Sequence, residues 1–368
     1  MAYTTINKST NFFDTGHYTG NGGTINVTGM NFQPDLSWLK CRSIAYHHRV
    51  YDAIRGVGVS LRTNANNADT TNAGEGVTAF NSDGITVIQG SNTEYGNNGE
   101  TYASWNWKAG TTSGLSGGTI TPSSYSINTT SKFGIYKYTG NGTNGATIAH
   151  GLGAVPTFMI FKKTSGTDDW KVYHKSIGAA KSIRLDSTDS ESSDSTLLNS
   201  TAPTSTLITL GTSSAINTNS ETYICYAFCD VQGYCKTGKY TANNSTDGNF
   251  IPTGHKPKLF MLKAYTGGSS NSRNWLLYDD NRNGINSSTS GYENRSLRPN
   301  KTDTEASASG YYIDILSQGV KLRSNSGELN TSGESYIYFS IGQSTVGTNN
   351  VPTTARWYDK SKRFSRFN

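Results

Sequence analysis

Apolar residues in this chain occur in short runs of the length that β-strands need. The run Phe158-Met-Ile-Phe161 has too few polar residues to alternate, so we expect a central strand covered on both faces. The segment Tyr102 to Trp107 alternates instead, with the indole rings Trp105 and Trp107 on one face and small or polar side chains on the other. No stretch of 12 residues combines helical spacing of apolar residues with an absence of glycine. The pattern predicts an all-β protein.

The strongest signal is an internal repeat, in which five landmarks recur three times in the same order. A Tyr-Thr turn is followed by a proline before an apolar run, an aromatic run, a Ser-Leu-Arg or Ser-Ile-Arg triplet and a closing Glu-Thr-Tyr or Glu-Ser-Tyr. The Tyr-Thr turns begin at Tyr18, Tyr138 and Tyr240, and the prolines are Pro34, Pro156 and Pro257. The aromatic runs end in Tyr51-Asp52, Tyr173-His174 and Tyr278-Asp279. The triplets begin at Ser60, Ser182 and Ser296, and the closing motifs begin at Glu100, Glu221 and Glu334.

The repeat predicts three tandem antiparallel β-sandwich modules of the jelly-roll-like type, because each copy holds several short strands separated by turn residues. Each copy is long enough to fold alone. The predicted boundaries are an N-terminal segment 1–16, module 1 at 17–110, a flexible Gly/Ser/Thr linker at 111–133, module 2 at 134–231, module 3 at 236–343 and a basic, aromatic C-terminal tail at 344–368.

Composition supports an ordered chain. Only 16% of the residues are charged and there are 40 glycines, but aromatic residues make up 11%, which is unusual for a disordered protein. No window is apolar enough to span a membrane, and the first residues carry no secretory signal, so we expect synthesis in a cytoplasm. The four cysteines show no metal-like spacing and are expected to be reduced, buried thiols.

The repeat landmarks, the opening Met1-Ala-Tyr-Thr-Thr-Ile-Asn-Lys-Ser9 and the phrase Phe80-Asn-Ser-Asp-Gly84 resemble a module family of marine tailed bacteriophages. That family is found in cyanophage-like tail-fibre and other virion structural proteins. The resemblance covers about residues 1–343 and implies a location in the virus particle. Its motifs are structural, so it implies no catalytic residues.

Candidate chemistry in the chain is sparse. The turn that starts at Asp279 and includes Asn281 matches the first half of a calcium loop. Ser290 stands where the closing glutamate should be, so the sequence allows only a weaker calcium site on Asp279 and Asn281. No acidic pair stands apart from the repeat, and no dinucleotide or phosphate motif is present. We therefore expect no cofactor and no enzymatic activity.

Two groups of residues are candidates for binding. The polar and aromatic pairs at the ends of the aromatic runs, Tyr51 with Asp52 and Tyr278 with Asp279, could contact a host glycan, because aromatic rings stack on sugars and polar groups bond hydroxyls. The alternative for these pairs is a buried strand end. The basic, aromatic tail could bind nucleic acid, but five charges are a weak footprint, so we expect it to dock on a neighbouring subunit. The docking candidates are Arg356, Trp357, Tyr358, Arg363, Phe364, Arg366 and Phe367.

Together these features predict a bacteriophage virion protein of the tail-fibre or spike type that binds the host surface. We expect a homo-oligomer, with a trimer favoured, in contact with other virion proteins, without membrane insertion and without nucleic acid. A capsid decoration or cement protein is the first alternative, and a polysaccharide depolymerase is the second.

Overall fold

A computed structural model describes residues 2–267, 273–282, 295–305 and 311–353. The described part of the chain is almost entirely β-structure in antiparallel sheets, which confirms the predicted all-β class. Within those residues, no helix has the length and apolar character to cross a bilayer.

Module 1 contains a six-stranded sheet of order β1-β9-β3-β4-β5-β6 and a three-stranded sheet of order β2-β8-β7. A short 3-10 helix, Ser9–Asn11, precedes them. The strands are β1 (Phe13–Thr19), β2 (Thr24–Val27), β3 (Leu36–Cys41), β4 (Arg49–Asp52), β5 (Val59–Arg62), β6 (Thr70–Thr71), β7 (Gly76–Asn81), β8 (Gly84–Ile88) and β9 (Thr101–Trp107).

Module 2 contains a seven-stranded sheet of order β10-β11-β18-β13-β14-β15-β16 and a two-stranded sheet that pairs β12 with β17. Its elements are β10 (Ser124–Asn128), β11 (Phe133–Thr139), β12 (Ala146–Ala149), β13 (Phe158–Lys163), β14 (Lys171–His174), β15 (Lys181–Arg184), β16 (Ser192–Ser193), β17 (Leu207–Leu210), the one-turn helix α1 (Ser214–Asn217) and β18 (Thr222–Phe228).

Module 3 contains a four-stranded sheet of order β19-β25-β21-β22 and a three-stranded sheet of order β20-β24-β23. Its elements are β19 (Cys235–Thr241), β20 (Phe250–Pro252), β21 (Lys256–Ala264), β22 (Leu276–Asp279), β23 (Ile313–Leu316), β24 (Gly319–Leu322), the one-turn helix α2 (Gly327–Asn330) and β25 (Ser335–Gln343).

The repeat landmarks occupy equivalent positions in the three larger sheets. In each sheet the opening strand pairs with the closing strand, so that Tyr18 lies opposite Tyr102, and the same register recurs at Tyr138 with Tyr223 and at Tyr240 with Tyr336. The closing strand pairs on its other side with the apolar strand that follows the proline.

Each larger sheet is buried on both faces. In β13, Met159 and Phe161 point into the core shared with the small sheet of module 2. Phe158 and Ile160 point to the opposite side, into a central core. This confirms the expectation for the apolar run, because a strand in the middle of a covered sheet has no face left for polar side chains.

The central core is shared by all three modules and was not anticipated. It combines Trp38 and Trp105 of module 1 with Phe228 of module 2 and Met261 and Phe339 of module 3. Rings from different modules touch, for example Phe158 with Phe339 at 4.7 Å between centroids. The modules therefore bury their larger sheets against one another around a common centre.

The segment predicted as a flexible linker, 111–133, also differs from that expectation. Ser124–Asn128 forms β10 on the edge of the larger sheet of module 2. Thr111 exchanges two backbone hydrogen bonds with Ile127, each of 2.9 Å. The side chains of Ile120 and Ile127 are buried in this module, and their burial holds the segment against it despite its Ser/Thr/Gly composition.

Candidate functional site

The four predicted glycan contacts, Tyr51, Asp52, Tyr278 and Asp279, lie inside the protein. Each of these four side chains is 0% exposed. A residue without solvent-accessible surface cannot touch a sugar outside the protein. The predicted glycan contacts at these four residues are therefore wrong, and the residues are interior positions. Both pairs fall at the end of a strand, β4 or β22. Tyr51 and Tyr278 pack into the cores of their own modules, and Asp52 and Asp279 face a neighbouring module.

Asp52 joins module 1 to module 2. Its Oδ2 accepts hydrogen bonds from Arg55 Nε at 2.6 Å and from the hydroxyl of Tyr226 at 2.7 Å. Its Oδ1 accepts from the backbone N–H of Arg55 at 2.8 Å. Tyr226 belongs to β18, so the carboxylate is held by a neighbouring cation and by a donor from the next module.

Asp279 makes the same arrangement between module 3 and module 1. Its Oδ2 accepts from Trp105 Nε1 at 3.0 Å and from Arg282 Nε at 2.5 Å, and its Oδ1 accepts from the backbone of Asn281 and Arg282. Burial opposes the charge on this carboxylate, but the guanidinium of Arg282 holds the pKa of Asp279 below its usual value. Arg282 also lies 5.5 Å from the ring centroid of Trp105.

The weak calcium site predicted on Asp279 and Asn281 is therefore wrong. Both carboxylate oxygens of Asp279 are occupied by N–H donors, and the cation beside them is Arg282. The side-chain amide of Asn281 donates to the backbone carbonyl of Thr15 at 3.0 Å. Among the described residues, no group of three or more metal-binding side chains comes together.

His174 occupies the same position in module 2 and contacts module 3. Its Nδ1 accepts from the backbone N–H of Ser176 at 3.1 Å, so its Nε2 is the nitrogen that donates to the carbonyl of Tyr338, also at 3.1 Å. Burial lowers the pKa of His174 to about 4. The ring is neutral near pH 7, and the three equivalent positions connect module 1 to 2, 2 to 3 and 3 to 1.

A second set of contacts leads from each module to the preceding one. Trp170 Nε1 donates to the carbonyl of Arg62 at 2.8 Å, and Trp275 Nε1 donates to the carbonyl of Arg184 at the same distance. The equivalent position in module 1 is His48, which lies against the backbone of Arg298. Both hydrogen-bond acceptors, and the backbone beside His48, belong to the arginines of the repeated Ser-Leu-Arg or Ser-Ile-Arg triplet, so this triplet is where neighbouring modules meet.

A third set consists of buried lysines that end the apolar strands. Lys40 Nζ donates to the carbonyl of Thr302 in module 3 at 3.0 Å. Lys162 Nζ donates to the carbonyl of Asn66 in module 1 at 3.1 Å. Burial lowers the pKa of each of these two lysines to about 8.

Lys263 completes this set by donating to the carbonyl of Thr188 in module 2 at 2.7 Å and to the carbonyl of Arg273. Burial lowers its pKa to about 7. In the sequence a lysine ends each apolar run, and this regularity is the available signal for these contacts. A lysine at the end of a strand has the same local sequence pattern whether or not it contacts another module, so the pattern alone does not predict the contact.

The arrangement is suited to holding the modules together. The recurring charged groups have their hydrogen-bonding atoms directed at protein partners, which leaves little capacity for a substrate. The four cysteines are buried and free, and burial raises the pKa of Cys225 and Cys235 well above the usual value and that of Cys229 to about 12. Thiols of this kind are poor nucleophiles.

The predicted subunit-docking residues lie outside the described part of the chain. These are Arg356, Trp357, Tyr358, Arg363, Phe364, Arg366 and Phe367, and the docking role of these residues stays a prediction.

Comparison with known proteins assigns the three modules to one continuous family match. No curated protein and no solved structure matches the chain. One family model matches residues 8–344, a range that contains all three repeats and the contacts between them. The chain therefore belongs to the family described as a domain of unknown function, DUF7483.

Proposed function

We propose that this chain is a structural protein of a bacteriophage particle, in an appendage of the tail-fibre or spike type that contacts the host surface. The proposal includes that the chain carries out no catalysis. It combines the resemblance of the repeat to phage virion modules with the use that the fold makes of the repeated residues.

One observation carries the proposal. The polar residues that recur in the repeat, such as Asp52, His174 and Asp279, make contacts between modules and are 0% exposed. A protein that devotes its recurring charged and aromatic groups to internal contacts is built for rigidity, and rigid, self-contained units suit the construction of a particle. Binding to the host would then depend on outer loops and cavities that differ among the modules.

The expected homotrimer is part of this proposal, with one constraint from the fold. The inner faces of the three larger sheets are already buried against one another within a single chain. Subunits of an oligomer would have to meet through other surfaces. The C-terminal tail remains our candidate for such a contact.

Labelling of intact particles tests the proposal. Antibodies against the purified chain, visualised with gold in electron micrographs, should decorate the tail region of phages whose genomes encode it. Antibody pre-absorbed with the purified chain is the control. Absence of the chain from purified particles by mass spectrometry would refute a virion role.

A capsid decoration protein is the second candidate. It is favoured by the cyclic order of the contacts, in which each module touches the other two through equivalent residues such as Lys40, Lys162 and Lys263. Such an arrangement matches sites of threefold symmetry on a shell. Gold on the head face instead of the tail would favour this function.

The absence of catalysis is tested separately. Host polysaccharide is incubated with the chain, and new reducing ends are measured against a boiled sample. We expect no release above that control, and a sustained release proportional to the protein concentration would make the chain a depolymerase.

A further inference from the structure

A polar cavity of about 550 Å³ lies where the N-terminal segment, the end of module 3 and the strand β21 meet. This volume falls within the roughly 300–1,000 Å³ that is typical of small-molecule sites. Most of the residues that line it have polar or charged side chains. The residues that line it include Ser9, Lys8, Lys256, Lys258 and Asp280.

The wall is held in place by its own hydrogen bonds. The side-chain oxygen of Gln343 accepts from the backbone of Ser9 at 2.7 Å, and its amide nitrogen donates to the carbonyl of Asn7 at 3.0 Å. Asn7 Oδ1 in turn accepts from the backbone of Thr348 at 2.7 Å. The cavity therefore has a shape fixed by the fold and does not depend on a ligand.

Three lysines and one carboxylate face this cavity, which gives it a net positive charge. Lys258 lies between two carboxylates, 4.0 Å from Asp14 and 3.9 Å from Asp280, so its charge is partly balanced. Lys8 and Lys256 have no comparable ion pair with the described residues. Their ammonium groups remain available to a negatively charged group in the cavity.

Two atoms of the wall also lack hydrogen-bond partners among the described residues. The hydroxyl of Ser9, a residue that is 0% exposed, has none, and neither has Oδ1 of Asp280. Buried polar atoms are normally satisfied. Ser9 has no accessible surface, whereas the Asp280 side chain is 18% exposed, so Asp280 is the one of the two that a ligand in the cavity can reach. The carboxylate oxygen requires a hydrogen-bond donor.

We propose that this cavity binds an acidic sugar, with the sugar carboxylate at Lys8 and Lys256 and a sugar hydroxyl donating to Asp280. A simple anion such as sulfate satisfies the lysines but has no O–H group to donate to Asp280. A neutral sugar satisfies Asp280 but leaves the lysines without a counter-charge. A ligand that carries both a carboxylate and hydroxyl groups meets all of these demands.

The tail that follows Thr353 is a poorer occupant. Residues 354–368 contain five basic residues and one acidic residue, a net charge of +4 that has the same sign as the cavity. If the chain contacts the host surface as proposed, the acidic sugar would come from a host-surface polysaccharide that contains uronic acid. The biological meaning of the site therefore rests on the proposed function.

Isothermal titration calorimetry on the full chain tests the site. The probes are a disaccharide with one uronic acid, the same disaccharide with its carboxylate reduced to an alcohol, and inorganic sulfate. We expect the uronic acid disaccharide to bind at least tenfold more tightly than either of the others, since one charge-assisted hydrogen bond contributes about that factor.

Two substitutions in the wall sharpen the test. Lys256→Gln should weaken binding of the acidic disaccharide about tenfold and leave its reduced form unaffected. Asp280→Asn should weaken both sugars. Lys301→Gln, an exposed lysine of the same module, is the matched control and should change nothing.

Failure of this inference is distinct from failure of the proposed function. Equal binding of the acidic and reduced disaccharides, no binding of the acidic one, or full binding by Lys256→Gln would overturn the inference. In those cases a positive labelling of the particle would still support the proposed function. A chain absent from virions would overturn the proposed function even if the sugar binds.

Discussion

The pair of Asp279 and Arg282 offers the sharpest test of how the modules are held together. Both side chains are 0% exposed in the ion pair, and Asp279 also accepts the indole N–H of Trp105 from module 1. Asp279→Asn removes the negative charge and places an amide NH₂ group against N–H donors. The substitution leaves a buried guanidinium with only part of its compensation, because Glu305 remains 2.9 Å from Arg282.

Removing one partner of a buried ion pair costs about 3–5 kcal/mol. We therefore expect Asp279→Asn to lower the free energy of unfolding by about that amount, at the lower end if Glu305 takes over part of the role. Urea unfolding is followed by tryptophan fluorescence, to which Trp105 contributes, and by far-UV circular dichroism. Coincidence of the two signals shows whether the modules unfold together.

Asp280→Asn is the matched control, because Asp280 is the next residue and has only a 3.9 Å contact with Lys258. It should change stability by about 1 kcal/mol or less. The double substitution Asp279→Leu with Arg282→Met should recover much of the loss, since it removes both buried charges. If Asp279→Asn costs no more than Asp280→Asn, our account of the ion pair as a support of the interface is refuted.

Three further predictions concern the same contacts. Burial lowers the pKa of Lys263 from its ordinary value of 10.5 to about 7, so the unfolded chain binds more protons and stability should rise as pH increases from about 7 towards 10. Lys263→Met should flatten that rise, and an unchanged slope of the urea midpoint against pH would contradict this prediction. His174 has a folded pKa of about 4 against 6.5, so stability should fall as pH drops from 6.5 to 4, by up to about 3 kcal/mol from this group, and His174→Phe should reduce the fall in the same assay. Module 2 expressed alone as residues 111–231, which keeps β10 and the whole of β11, should bind the dye ANS and aggregate, because it exposes Phe158 and Phe228, whereas the whole chain should do neither. A soluble, ANS-negative fragment would show that the shared core is dispensable.

The candidate site shows where prediction from the sequence stopped. The repeat marks Tyr51 with Asp52 and Tyr278 with Asp279 as special positions, and the sequence allows two interpretations of them, glycan contacts on the surface or buried strand ends. A polar residue at a strand end has the same sequence signature whether it faces solvent or another module. Only the position of Tyr226 and Trp105 from the neighbouring modules decides that these carboxylates are buried.

By itself, the sequence determined the β class, the repeated landmarks and the double burial of the apolar strands. These properties follow from local alternation and spacing, which depend on residues close together in the chain. The tertiary structure alone decided that the three larger sheets share one core, that Lys40, Lys162 and Lys263 bond carbonyls of neighbouring modules, and that a polar cavity forms beside the chain ends. The physical reason is that these contacts join residues far apart in the chain, so no local pattern of hydrophobic and polar residues specifies which surfaces meet.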